Sequence, residues 1–255
     1  MESFFFGNTD RMLYGVFHAA SQEHYRNRSI LLLYPVGHEY MQIHRAYRRL
    51  ADSLSDLGFD VLRFDYACTG DSFGDFEQAS IDQWIDSAVF AYDELQIMSP
   101  EAKIDVVALR LGTVMARQLA KRRKIQRLVL WEPSYLDAYY WQQSVDAIEN
   151  KEMTRANFIE GDVLHLNGFA YGPLIKNSLQ SGGWGNFPET SIAEVLVVSA
   201  REVKIFEDFK EIFSSQGKLE FSNVTGPGDW IAANPDGGII MPEPSIVKIR
   251  QWLSA

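Results

Sequence analysis

Short apolar runs alternate with amphipathic stretches along nearly the whole chain, and that rhythm leaves few folds open. Ser29–Tyr34 reads as a buried strand ended by Pro35. Met41–Leu57 reads as a helix, with Ala46, Leu50, Leu54 and Leu57 at three- and four-residue spacing, and Gly58 stops it. Strand Phe59–Tyr66, helix Ile81–Met98, strand Ile104–Ala108 and helix Thr113–Arg122 repeat the pattern. Leu128–Trp131 and Val195–Ser199 add strands; helix Phe206–Ser214, strand Leu219–Val224 and helix Pro244–Leu253 complete the series. Such alternation implies the α/β class, a mainly parallel central sheet flanked by helices on both faces. Ser3–Phe6 and Arg11–His18, the latter with Gly15, read as a leading antiparallel hairpin.

The rhythm breaks over residues 135–188, which are rich in aromatics and show no clear strands. The break falls inside the series, so it predicts a small helical cap inserted into a core made of 1–134 and 189–255. Trp141, Phe158, Phe169, Tyr171 and Trp184 would line a pocket beneath this cap or form the cap's own core.

A chain of 255 residues suffices for one large domain, and 46% apolar with 23% charged residues is an ordinary globular composition. A net charge of −10 argues against nucleic acid or anionic membrane as main partners. The basic run Lys121-Arg122-Arg123-Lys124 suits a helix C-terminus. The single cysteine, Cys68, excludes an internal disulfide and any cysteine-based zinc cluster. No stretch approaches the roughly 20 apolar residues needed to span a bilayer. The N-terminus shows no basic and apolar leader pattern, so a cytoplasmic protein is expected. Without a nucleotide-binding glycine fingerprint or a metal-ligand cluster, no cofactor is expected.

Three segments carry more specific information. Asp105–Thr113 takes an apolar strand into a tight turn and at once into a helix. Tyr34-Pro35-Val36-Gly37-His38 follows the first long strand, and Phe64-Asp65-Tyr66-Ala67-Cys68-Thr69-Gly70-Asp71-Ser72-Phe73-Gly74 follows the second. Together they resemble the α/β-hydrolase superfamily over nearly the whole chain, with its oxyanion loop, its F-D-Y-R-G-x-G-x-S-x-G loop and its nucleophile elbow in order. More narrowly, Pro35-Val36-Gly37-His38-Glu39, His44-Arg45 and Leu109–Gly112 are similar to the bacterial exosortase-system-associated hydrolases. That likeness implies an α/β-hydrolase fold and a role beside polysaccharide or secondary-metabolite biosynthesis.

The departures from the family pattern bear most on function. The elbow of the family reads G-x-S-x-G, whereas the aligned residues here are Ala108, Leu109, Arg110, Leu111 and Gly112. A guanidinium stays protonated and cannot attack a carbonyl, but it can bind an anion. The family's histidine should follow the last strand, where this chain reads Thr225-Gly226-Pro227-Gly228-Asp229-Trp230, and no histidine lies beyond His165. The acid position falls near Arg201-Glu202, so Glu202 keeps a carboxylate there.

Other residues have two readings. Gly70-Asp71-Ser72-Phe73-Gly74 spells G-x-S-x-G, yet Ser72 lies six residues beyond Tyr66 in a glycine-containing loop. The plain reading is a turn serine bonded to local backbone. Cys68 reads as a small buried hydrophobe rather than a thiolate. His38 would be an acid or base oriented by Glu39, Glu132 or Glu202, or else an ordinary loop histidine. His44 reads as structural or as pocket rim. Arg110 would either fold away onto Glu132 or Asp229, or point into the pocket beside a helix N-terminus and hold a carboxylate or phosphate. Glu132 should reach the C-terminal rim of the sheet.

Three functions follow. In the first, Arg110, His38, Glu132 and Glu202 act without a covalent intermediate on a small acyl, ester, thioester or carboxylate-bearing molecule. Val36, Gly37, Leu111, Asp229 and Trp230 would then line its pocket. In the second, the chain is a pseudoenzyme that binds or scaffolds, with a homodimer left open. The third, hydrolysis through Ser72, is the most distant.

Overall fold

The computed structural model describes residues 1–133, 157–181, 192–200, 218–225 and 241–255. The chain opens with a hairpin, β1 (Glu2–Asn8) and β2 (Arg11–His18), closed by the pair Asn8 and Arg11. Then come β3 (Arg28–Leu33), α1 (His38–Asp56), β4 (Asp60–Phe64), α2 (Ile81–Met98), β5 (Lys103–Leu109), α3 (Gly112–Arg122) and β6 (Arg127–Trp131). A small meander follows, β7 (Asn157–Glu160), β8 (Val163–Leu166) and β9 (Phe169–Tyr171), and then α4 (Pro173–Ser181). β10 (Glu194–Ser199), β11 (Lys218–Asn223) and α5 (Glu243–Ser254) complete the described elements.

Among the described residues the main sheet has eight strands in the order β1-β2-β4-β3-β5-β6-β10-β11. β2 pairs antiparallel with β1 and β4, and every other pairing is parallel. Ile30–Leu33, Val106–Leu109 and Leu128–Trp131 are fully buried, as strands covered on both faces must be. α1 packs with α5 and α2 with α3, which places one pair of helices on each face. The chain steps from β3 to β4, then returns past β3 to β5. The loops leaving β3 and β5 therefore diverge to opposite faces, and a crevice opens between them at the C-terminal ends of the strands.

The α/β architecture expected from the alternating pattern is the one observed, with differences at the margins. α1 starts at His38, three residues before the predicted start, because Gly37 turns the chain with φ +64° and serves as its N-cap. α2 starts where predicted, and Ser80 with Gln83 forms a capping box there. The expectation of no strands in 135–188 is overturned by β7–β9, whose second turn places Asn167 (φ +50°) and Gly168 (φ +85°) in left-handed conformations. Paired left-handed residues of this type make a tight hairpin turn. The predicted helix Phe206–Ser214 lies outside the described residues, as do Trp141 and Trp184. Phe169 and Tyr171 pack edge-on against Phe76, with centroids 5.2 and 5.1 Å away. No helix among the described residues is long and apolar enough to cross a membrane.

A polar chain runs beneath α1. Arg63 of β4 donates from Nε to His18 Nε2 (3.0 Å) and from Nη1 to Tyr34 Oη (3.1 Å). His18 Nδ1 lies 2.9 Å from Asp52 Oδ1. An Nε2 that accepts from a guanidinium carries no proton, so the imidazole is neutral with its hydrogen on Nδ1. Burial and the nearby Arg63 charge lower its pKa from 6.5 to about 4, against the upward pull of Asp52. On acidification the unfolded imidazole takes a proton below pH 6.5, whereas the folded one resists until about 4. Stability from this site is complete above pH 6.5 and falls, by up to about 3 kcal/mol, as pH drops toward 4. His18→Gln is expected to flatten that acid limb in urea unfolding compared at about pH 7 and about pH 4.5. An unchanged limb would show that the imidazole is not its source.

Candidate functional site

The ends of β3 and β5 bring Gly37, His38 and Arg110, among the residues singled out in the sequence, to the same end of the sheet. β5 ends at Leu109, Arg110 turns with φ +51°, and α3 begins two residues later at Gly112. The turn is tightened by Thr113 N–H donating to Arg110 O (2.9 Å) and Val114 N–H to Leu111 O (2.9 Å). Arg110 N–H also reaches Trp131 O (3.1 Å), which ties the apex to β6. A left-handed non-glycine residue costs roughly 1 kcal/mol or more, and such strain is concentrated at functional turns. Gly112 is required on different grounds: a Cβ there would lie 2.5 Å from Leu33 O. Its absence lets the first turn of α3 approach the end of β3.

On the other side of the crevice, Pro35 and Val36 lead to Gly37, and His38 is the first residue of α1 rather than part of a free loop. Val36 is buried, and His38 is half-buried. A Cβ on Gly37 would lie 2.0 Å from Tyr171 Oη, so the tyrosine of β9 occupies the space a side chain would fill. Burial, with the Glu39 carboxylate beside it, raises the Tyr171 pKa well above the phenol range and keeps the hydroxyl protonated. Tyr171 thus sits over the loop, as either of its two expected roles would allow.

Arg110 is buried, at 6% exposure, and its Nε lies 3.6 Å from Glu39 Oε1. The sequence offered Glu132 or Asp229 as its internal partner; the contact described is with Glu39, at the start of α1. Glu132 follows β6 with φ +42° and is also buried. Its Oε2 accepts from Ser199 Oγ (2.8 Å) and its Oε1 from Ala200 N–H (2.6 Å), so it ties the end of β10 to β6. Leu111, 8% exposed, packs into the core beside Arg110. Glu202, Asp229 and Trp230 lie outside the described residues. The geometry brings together Gly37, His38, Glu39, Arg110 and Tyr171. Glu39 and Tyr171 were named in the sequence only as a carboxylate for His38 and as cap aromatics.

Ser72 and Cys68 lie in the loop after β4 and have local roles. Ser72 Oγ donates to Asp65 O (2.6 Å) and accepts from Tyr14 N–H (2.9 Å), fastening that loop to β2. Cys68 is buried, and burial raises its thiol pKa, which disfavours the thiolate. Among the described residues no group of His, Cys, Asp and Glu is placed to hold a metal ion.

No family model matches the chain, and no curated protein matches it. Solved structures do. Est1E from Butyrivibrio proteoclasticus with ferulic acid bound superposes with TM-score 0.66 at 12% identity, covering 98% of this chain and 96% of that one. A Pyrococcus furiosus esterase gives TM-score 0.65 at 15% identity, over 99% and 89%. An alpha-beta serine hydrolase homologue from Coxiella burnetii gives 0.60 at 14%, over 99% and 95%. Identities this low speak for architecture alone, and the sheet order, the turn after β5 and the crevice agree with it. The chain has the α/β-hydrolase fold.

Proposed function

We propose that this α/β-hydrolase-fold protein binds a small acyl or carboxylate-bearing biosynthetic intermediate in the β3–β5 crevice and acts on it without a covalent intermediate. The observation that carries this reading is Arg110 at the left-handed apex between β5 and α3, where the fold presents its reacting group. A guanidinium there offers a bidentate site for an oxyanion in a setting with little water. His38 at the start of α1 supplies the proton-transfer group, and the Tyr171 hydroxyl supplies a further donor over Gly37. Glu132 acts at one remove, by holding the end of β10 in place. The sequence expectations that would go with this reading are a cap formed by residues 135–188, a further carboxylate at Glu202 and substrate contacts from Asp229 and Trp230. The likeness to exosortase-associated hydrolases supports a place beside polysaccharide or secondary-metabolite biosynthesis.

A second reading, binding without turnover, is favoured by the Arg110–Glu39 contact, which gives Arg110 an internal counter-charge. The discriminating experiment exposes the folded protein to a fluorophosphonate and measures intact mass, then assays hexanoyl and benzoyl thioesters for turnover. The expected result is no adduct at Ser72 or Cys68, together with saturable turnover that His38→Ala reduces strongly. A stoichiometric adduct at Ser72 would overturn non-covalent action. Saturable binding with no turnover would establish the second reading.

A further inference from the structure

A second recess lies beneath the other face of α1, and none of its lining residues belongs to the crevice described above. It is a cleft of about 350 Å³ between α1 and the β1–β2–β4 edge, lined among others by Tyr14, Tyr34, His44, Arg48, Arg63 and Phe64. We propose that this cleft is a binding site for a small organic carboxylate, held by Arg63 at its inner wall and Arg48 at its mouth.

Arg63 carries the argument. It sits in β4 beneath α1 with 5% of its surface exposed, yet no carboxylate forms an ion pair with it among the described residues. Its hydrogen bonds go to two neutral groups, the imidazole of His18 and the hydroxyl of Tyr34. The carboxylate reached through that chain is Asp52, on the far side of His18. Buried charges in proteins are paired, and a guanidinium has five N–H donors, of which those contacts use two. Arg63 also lines the cleft, so an oxyanion entering there can take up donors that remain.

The surroundings decide between kinds of oxyanion. Asp65 also lines the cleft, its two oxygens held by Tyr40 Oη (2.7 Å) and by Asp71 N–H (3.0 Å). Asp71 stands exposed beside it. Two carboxylates close by disfavour a phosphate dianion more than a monoanionic carboxylate. The aromatic walls, Tyr14, Tyr34, Tyr40 and Phe64, suit the apolar body of an organic acid. Burial lowers the pKa of His44, with Arg63 and Arg48 acting in the same direction and Asp65 against them. Arg48, whose side chain is 59% exposed, lies with its Nε 3.7 Å from Asp52 Oδ2, so a carboxylate entering at the mouth competes with a solvent-exposed pair that contributes little.

The test follows 4-fluorobenzoate binding by fluorine NMR in the Arg110→Ala protein, so that the crevice site does not contribute. Arg63→Gln, and separately the exposed-site variant Arg48→Glu, are introduced in that background, with urea unfolding as the check on folding. Saturable binding that weakens at least about tenfold in Arg63→Gln and clearly in Arg48→Glu is expected. Equal affinity in Arg48→Glu and the Arg110→Ala parent would overturn the proposal even if Arg63→Gln failed to fold. Binding that is lost with Arg110→Ala alone would assign the carboxylate to the crevice instead. Competition by inorganic phosphate at equal or lower concentration than 4-fluorobenzoate would overturn the choice of ligand.

Discussion

Replacing Asp105 with alanine is expected to lower the unfolding free energy by about 3–5 kcal/mol, the loss typical of breaking a buried ion pair by removing one partner. Asp105 lies in β5 with no exposed surface. Its carboxylate accepts from Arg28 Nε (3.0 Å) and Nη2 (2.5 Å) and from Arg127 N–H (3.1 Å), Nε (3.2 Å) and Nη2 (2.9 Å). The two arginines would then lose their counter-charge unequally. Arg28, with its side chain 22% exposed, can turn to water, whereas Arg127, at 9%, cannot. Arg127 also donates from Nη2 to Leu253 O (2.7 Å), so the loss should loosen the seat of α5 on the sheet. Asp105→Asn keeps an acceptor and should cost less, about 1–3 kcal/mol. Urea unfolding near pH 7 reads both variants. A loss under about 1 kcal/mol for Asp105→Ala would mean that the arginines find other partners without strain.

What was legible in the sequence was whatever local pattern determines. Ile30–Leu33, Val106–Ala108 and Leu128–Trp131 are continuous apolar runs, and only a doubly covered strand accommodates them at that length. The start of α1 is not legible because its N-cap is Gly37, which acts through backbone freedom and leaves no capping side chain to read. The meander β7–β9 is illegible for a different reason. Its strands are three or four residues long, too short for a periodic signal, and the dipeptide Asn167-Gly168 was the one cue available. The candidate site was legible only in outline. Arg110 could be placed at an elbow from the strand–turn–helix pattern, but its contact with Glu39 joins segments that follow different strands. Which of three carboxylates meets which cation depends on the β3–β5 and β6–β10 pairings, and local sequence does not encode those. Glu132 shows the same limit: it follows the C-terminal end of β6, and its oxygens serve Ser199 and Ala200.

Under the function proposed above, Arg110→Ala is expected to weaken binding of a small acyl or carboxylate-bearing ligand by about 100-fold or more, the scale of a desolvated, charge-assisted bidentate contact. Arg110→Lys keeps the charge but loses the planar fork, so an intermediate loss of about tenfold is expected. Arg110→Ser places at the apex the serine of the G-x-S-x-G elbow pattern, and the backbone there is already left-handed. Even so, no ester hydrolysis above background is expected from it, because a serine needs a base within hydrogen-bond reach. No histidine follows the last strand in this sequence. The series separates three roles that a single alanine variant would confound. A graded loss from Arg to Lys to Ala identifies an oxyanion clamp. Equal binding by all three, with lower stability in Ala, would make Arg110 a structural partner of Glu39. Hydrolysis by Arg110→Ser would mean that His38 stands close enough to serve as base.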